Sequence, residues 1–133
     1  MNRQELVLVG AVAAGGALGS VCRYLLGAFI QGRAAPGFPV ATLVINVAGS
    51  FLLGLILQAA LEGTGMSPAT RLFLATGFCG GFTTFSTFSY ETLRLVEEGE
   101  HAPAVAYVAL SVGLSVGAAL GGAMLARRLF ARG

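Results

Sequence analysis

The chain has 133 residues, a mean hydropathy of +0.81 and only 11% charged positions, where a soluble domain carries roughly a quarter. A soluble domain of this length buries only about two-thirds of its unfolded surface and covers the rest with polar residues. Eight Arg, six Glu, no Lys and no Asp cannot supply that exterior, and a scattered net charge of +2 excludes a nucleic-acid partner. Composition points to a small integral membrane protein in contact with lipid.

Four apolar runs account for nearly the whole chain: Leu6 to Ile30, Val40 to Leu61, Ala69 to about Val96, and Pro103 to Leu125. Each reaches the roughly 20 residues that a helix needs to cross the hydrocarbon core. Most charges fall between the runs or at the ends, and the connectors Gln31 to Pro39 and Glu62 to Pro68 are short and rich in Gly and Pro, as turns are. The expected architecture is a single all-α domain over 1–133 with four transmembrane helices. The first run is too long for a signal h-region of about 7–15 residues and contains Arg23, so it is not a cleavable leader. With both termini cytoplasmic, Arg3, Arg71, Arg127, Arg128 and Arg132 lie on that side against Arg33, Arg23 and Arg94 elsewhere, a modest positive-inside bias.

Twenty glycines, about twice the usual share, are spread through the runs as well as the turns. In the first span Gly15 and Gly19 are four apart, and in the last Gly113, Gly117 and Gly121 repeat at the same spacing. Small-residue faces let helix backbones approach closely in lipid, and some of these faces are expected to pack between subunits. Four helices alone cannot easily enclose a polar path.

Polar residues within apolar spans are costly and mark pathways or partners. The second span carries Thr42, Asn46, Gly49 and Ser50 along one stripe. Asn46 stands out, because its amide offers two donors and an acceptor that a helix backbone cannot satisfy. Late in the first span, Arg23 either snorkels to the interface or gives positive potential to a vestibule. Glu91 in the third run has Arg94 at i+3, or hydroxyls across a path, as its expected partner. In the last span Tyr107, Ser111 and Ser115 share a stripe roughly opposite the glycines, by the 3.6-residue repeat.

The third run is the most informative: Gly77-Phe78-Cys79-Gly80-Gly81-Phe82-Thr83-Thr84-Phe85-Ser86-Thr87-Phe88-Ser89-Tyr90-Glu91. Three glycines within five residues followed by Thr-Thr should break the helix in mid-span, which is tolerated only where backbone is buried in protein or lines a hydrated cavity. Phe85 and Phe88 share a face beyond the break, among hydroxyls. Cys22 and Cys79 stand alone, and His101 is the single histidine. No metal cluster, phosphate loop or nucleophile-base set is present, so the chain reads as a non-enzyme.

The run from Gly77 to Glu91, the Asn46 to Gly54 stretch and the Gly15 to Tyr24 stretch together resemble the CrcB/Fluc family of fluoride channels. That resemblance covers all four spans. It implies a passive channel that lets fluoride leave bacteria across the inner membrane, built as an antiparallel, dual-topology homodimer with two pores. It further implies a pathway of Asn46, Phe85, Phe88, Tyr107, Ser111, Ser115, Thr42 and Glu91, with Arg23 in a vestibule. Carbonyls of Gly80 and Thr83 are implied to hold a structural sodium ion at the dimer centre. The arginine bias is larger than even dual insertion calls for. The alternative from another class is a proton-coupled four-helix multidrug exporter. That mechanism requires a mid-span carboxylate in the first span, where this sequence has none. A purely structural subunit leaves the broken run and the polar stripes without a purpose.

Overall fold

A computed structural model describes residues 1–131, and Arg132 of the arginine count lies outside the described residues. The chain is all-helical: α1 (Arg3–Gln31), α2 (Val40–Leu61), then a third run of α3 (Pro68–Arg71), a π-helical segment (Leu72–Cys79), α4 (Gly80–Phe82) and α5 (Phe85–Glu97), and last α6 (His101–Phe130). Among the described residues three helices, α1, α2 and α6, are long and apolar enough to cross a membrane.

Local chemistry sets the ends. Asn2 opens α1 with a capping box, accepting from the Glu5 N–H while the Glu5 carboxylate accepts from the Asn2 N–H, both at 2.8 Å, which satisfies two orphan donors. Ser67 caps α3, with Pro68 in the first turn, where a missing N–H costs nothing. Between α5 and α6 the chain turns through Gly99 at φ +79°, a left-handed conformation that a side chain would strain.

The helices pack as two close pairs, α2 with α6 and α1 with the third run. Both pairs rest on glycine. A Cβ at Gly15 would overlap the Phe73 carbonyl and one at Gly19 the Phe78 carbonyl, while Gly81 lies against the backbone of Gly16. In the other pair, Gly54 meets the Ala119 carbonyl and Gly122 the Phe51 carbonyl. Dispersion between close backbones replaces the hydrophobic drive that lipid removes.

The stripe of Gly113, Gly117 and Gly121 does not pack within the subunit: a Cβ at any of them meets nothing within 4 Å. The contact with α2 runs through Gly122 and Ala119, on another face of α6. One expectation is corrected, that Gly77, Gly80 and Gly81 take the backbone out of helical geometry. All three lie inside helical segments, and Gly77 and Gly81 serve instead to admit α1. The backbone turns extended only afterwards, at Thr83 (φ −84°, ψ 161°) and Thr84 (φ −153°, ψ 116°).

These contacts separate two kinds of glycine by experiment. Gly54→Ala and Gly122→Ala are each expected to lower stability by about 1–3 kcal/mol through overpacking. Gly113→Ala is expected to leave it unchanged or raised by up to about 1 kcal/mol, the gain in helix propensity. Thermal unfolding of the purified protein in detergent measures all three.

Candidate functional site

The site is built around the two extended residues. In an unbroken helix the Thr84 N–H would donate to the Gly80 carbonyl and the Thr87 N–H to the Thr83 carbonyl. Neither does. The Thr84 N–H donates to Asn46 Oδ1 at 2.8 Å, and Asn46 Nδ2 donates back to the Thr84 carbonyl at 3.0 Å. The Thr87 N–H donates to Thr84 Oγ1 at 3.2 Å, so that Thr84 caps α5. Asn46 therefore stands in for the helix at Thr84, matching one donor and one acceptor across from α2.

The other end of the interruption is held from α1. The Gly81 carbonyl, which would otherwise accept from Phe85, accepts from Arg23 Nε at 3.1 Å and from Ser20 Oγ at 3.4 Å. Arg23 is thus tied to the end of α4. These exchanges take the helical partners away from the Gly80 and Thr83 carbonyls. Carbonyl oxygens are donors for hard cations, and among the described residues no group of three His, Cys, Asp or Glu side chains could bind a metal. The available oxygens suit a hard monovalent ion better than a transition metal.

Against the interruption lies a groove of about 330 Å³. Asn46 and Ser50 of α2, Thr84, Phe85 and Phe88 of the third run, and Ser111 and Ser115 of α6 contribute to its lining. The Phe85 and Phe88 rings lie 5.5 Å apart between centroids, and Phe88 packs on Tyr107 at 5.3 Å. Phe85 is 79% exposed, so the groove is open along that side. Ser111 Oγ is buried with no hydrogen-bond partner, a costly state for a hydroxyl unless something else accepts or donates there.

Beyond Phe88 lies a knot of three side chains. Glu91 accepts from the Thr42 hydroxyl on one oxygen at 2.9 Å and from the Tyr107 hydroxyl on the other at 2.7 Å. Tyr107 is fully buried and Phe38 meets its ring edge-on at 5.6 Å. The partner of Glu91 is therefore the pair of hydroxyls across the path, and Arg94 pairs with Glu98 instead. Thr42, Asn46, Phe85, Phe88, Glu91, Tyr107, Ser111 and Ser115 thus fall on one continuous line, from groove to knot. Arg23, Gly80 and Thr83 flank its broken end.

The family model for the CrcB-like protein, Camphor Resistance (CrcB), matches residues 10–123. The chain belongs to the CrcB family. It is 48% identical over 125 residues, 94% of this chain and 98% of the relative, to a protein of Rhizobium meliloti named "Fluoride-specific ion channel FluC". Relatives of the same name in Geobacter sulfurreducens and Thermus thermophilus are 51% and 57% identical. They cover 90% and 72% of this chain, and 96% and 75% of their own lengths. Together with its three membrane-length helices, this family membership makes the chain a multi-pass bacterial membrane protein.

Sequence reasoning missed the backbone of Thr84 as the target of Asn46, and Gly81 as the target of Arg23. The spacing of Thr84 and Thr87 is a helix-cap signal and marks the start of α5 directly. Asn46→Leu orphans one donor and one acceptor, so it is expected to lower stability by about 2–6 kcal/mol, at roughly 1–3 for each group. Ser50→Ala, one turn along the same face, is expected to leave unfolding nearly unchanged in the same detergent assay.

Proposed function

We propose that this protein is a passive, fluoride-selective channel through which cytoplasmic fluoride leaves across the bacterial inner membrane. The observation that carries the reading is the groove, in which the unpartnered Ser111 hydroxyl and the Asn46 amide stand beside two phenyl rings. The chain that forms it is about half identical to relatives named for that activity.

Fluoride is small and strongly hydrated, so a path must replace its water with donors. Asn46 spends one amide hydrogen on the Thr84 carbonyl and keeps the second. Ser111 and Ser115 add hydroxyls along α6. A phenyl ring is positive at its edge, so Phe85 and Phe88 offer the ion weak attraction, firm enough to admit it and loose enough to let it leave. At the knot, the Thr42 and Tyr107 hydroxyls can turn from Glu91 to a passing anion. A proton-coupled drug exporter is disfavoured, because Glu91, the only carboxylate on this line, has both oxygens engaged by hydroxyls.

One copy leaves the groove open beside Phe85, so the complete pathway is an antiparallel homodimer with two pores, inserted in both orientations. In that assembly the third run forms the fourth crossing, interrupted in mid-span. The Gly80 and Thr83 carbonyls of both copies would hold one structural sodium ion at the two-fold axis, which supplies a fixed positive charge beside the anion path.

Purified protein in liposomes is expected to release fluoride, with chloride and protons retained. Asn46→Asp places an anion in the path and is expected to abolish fluoride efflux. Phe85→Ile and Phe88→Ile keep bulk without the positive edge, and each is expected to slow it. Normal fluoride efflux from a folded Phe85→Ile, Phe88→Ile double variant contradicts the aromatic path. Equal fluoride and chloride efflux from the wild type contradicts the selectivity.

A further inference from the structure

A second chamber of about 390 Å³ lies past the knot, lined in part by Phe38, Tyr90, Glu91, Arg94 and Glu98. Glu91 and Phe38 join it to the knot, since Glu91 bonds Tyr107 and Phe38 packs on the Tyr107 ring. The groove on the other side of the knot is lined by no charged residue. Of the residues that line the two chambers, Arg94 is therefore the single cation, facing two carboxylates. It is half-exposed and paired with Glu98, the residue that caps the C-terminus of α5, so its guanidinium lies at the rim in reach of water.

We propose that this chamber is the mouth of the path, and that Arg94, paired with Glu98, offsets the field of Glu91 and Glu98 there, so that fluoride is repelled less on its way to the knot. The proposal rests on the fluoride-channel reading and assigns one residue's part in it. The charge count makes the point. With Glu91, Glu98 and Arg94 ionised, the mouth carries a net −1. Losing Arg94 makes it −2, which repels the permeant ion, and losing the Glu98 charge makes it neutral. In water a unit charge about 10 Å away changes the local concentration of an anion about twofold. Rim charges act through this field, so the effect belongs to dilute salt and fades as counter-ions screen it. A role in folding or packing would not depend on salt in this way.

The test is initial fluoride efflux from liposomes at fixed low fluoride, in about 10 mM and about 1 M sodium gluconate, where the Debye lengths are about 30 Å and 3 Å. In dilute salt the expected order is Glu98→Gln about twofold above wild type and Arg94→Gln about twofold below it. In concentrated salt the three rates converge. Arg94→Lys keeps the charge and is expected to track the wild type in both. An Arg94→Gln rate equal to wild type in dilute salt overturns the proposal, as does a deficit that concentrated salt leaves in place. Either result leaves the channel reading standing, whereas a wild type that passes no fluoride overturns that reading and the mouth with it.

Discussion

Backbone groups that lose their helical partners away from water must find others, and the structure is organised around meeting that demand at Gly81 and Thr84. Asn46 answers it from α2 with a donor and an acceptor on one peptide, and Arg23 and Ser20 answer it from α1 at the Gly81 carbonyl. An unpaired buried backbone group costs about 1–3 kcal/mol, so three such exchanges decide whether the interruption can exist. They also fix where α5 begins, and with it where Phe85, Phe88 and Glu91 stand.

The close pairing of helices follows from the same need. Hydrogen bonds of about 3 Å between a side chain on one helix and the backbone of another require short interhelical distances. Gly15 and Gly19 bring α1 against the third run, and Gly49 lies against Thr83 and Phe82, which sets Asn46 one turn away at the level of Thr84. The pairing of α2 and α6 through Gly54 and Gly122 then places Tyr107 and Ser111 opposite the third run. The glycines build the path by letting others reach it.

Much of this was legible in the sequence. Arginine and glutamate placed mostly around the ends of apolar runs marked the helices, and α1 and α2 begin and end within a few residues of their runs. The four-residue spacings of Thr42 and Asn46, and of Ser111 and Ser115, placed each pair on one face because a regular helix preserves the repeat. The third run was less legible. Three glycines suggest a break, yet the same residues can serve close approach, and only the neighbouring helix decides between the two. Here α1 occupies the space beside Gly77 and Gly81, so the helix continues to Phe82 and yields at the β-branched threonines, where side chains can cap. Partners such as Thr84 for Asn46 and Gly81 for Arg23 depend on rotation about the helix axis, which spacing alone leaves open.

The central claim is that Asn46 takes the Thr84 N–H away from the Gly80 carbonyl while the Thr84 hydroxyl takes the Thr87 N–H away from the Thr83 carbonyl, and the proposal built on it is that these two oxygens meet a cation. Magic-angle-spinning NMR of the protein in bilayers, with carbon-13 at the carbonyls of Gly80 and Thr83, observes those two groups directly. The account predicts a shift outside the helical range for Thr83 and movement of both carbonyl signals when sodium is exchanged for N-methylglucamine. A helical shift at Thr83, with both carbonyls indifferent to the cation, would contradict it.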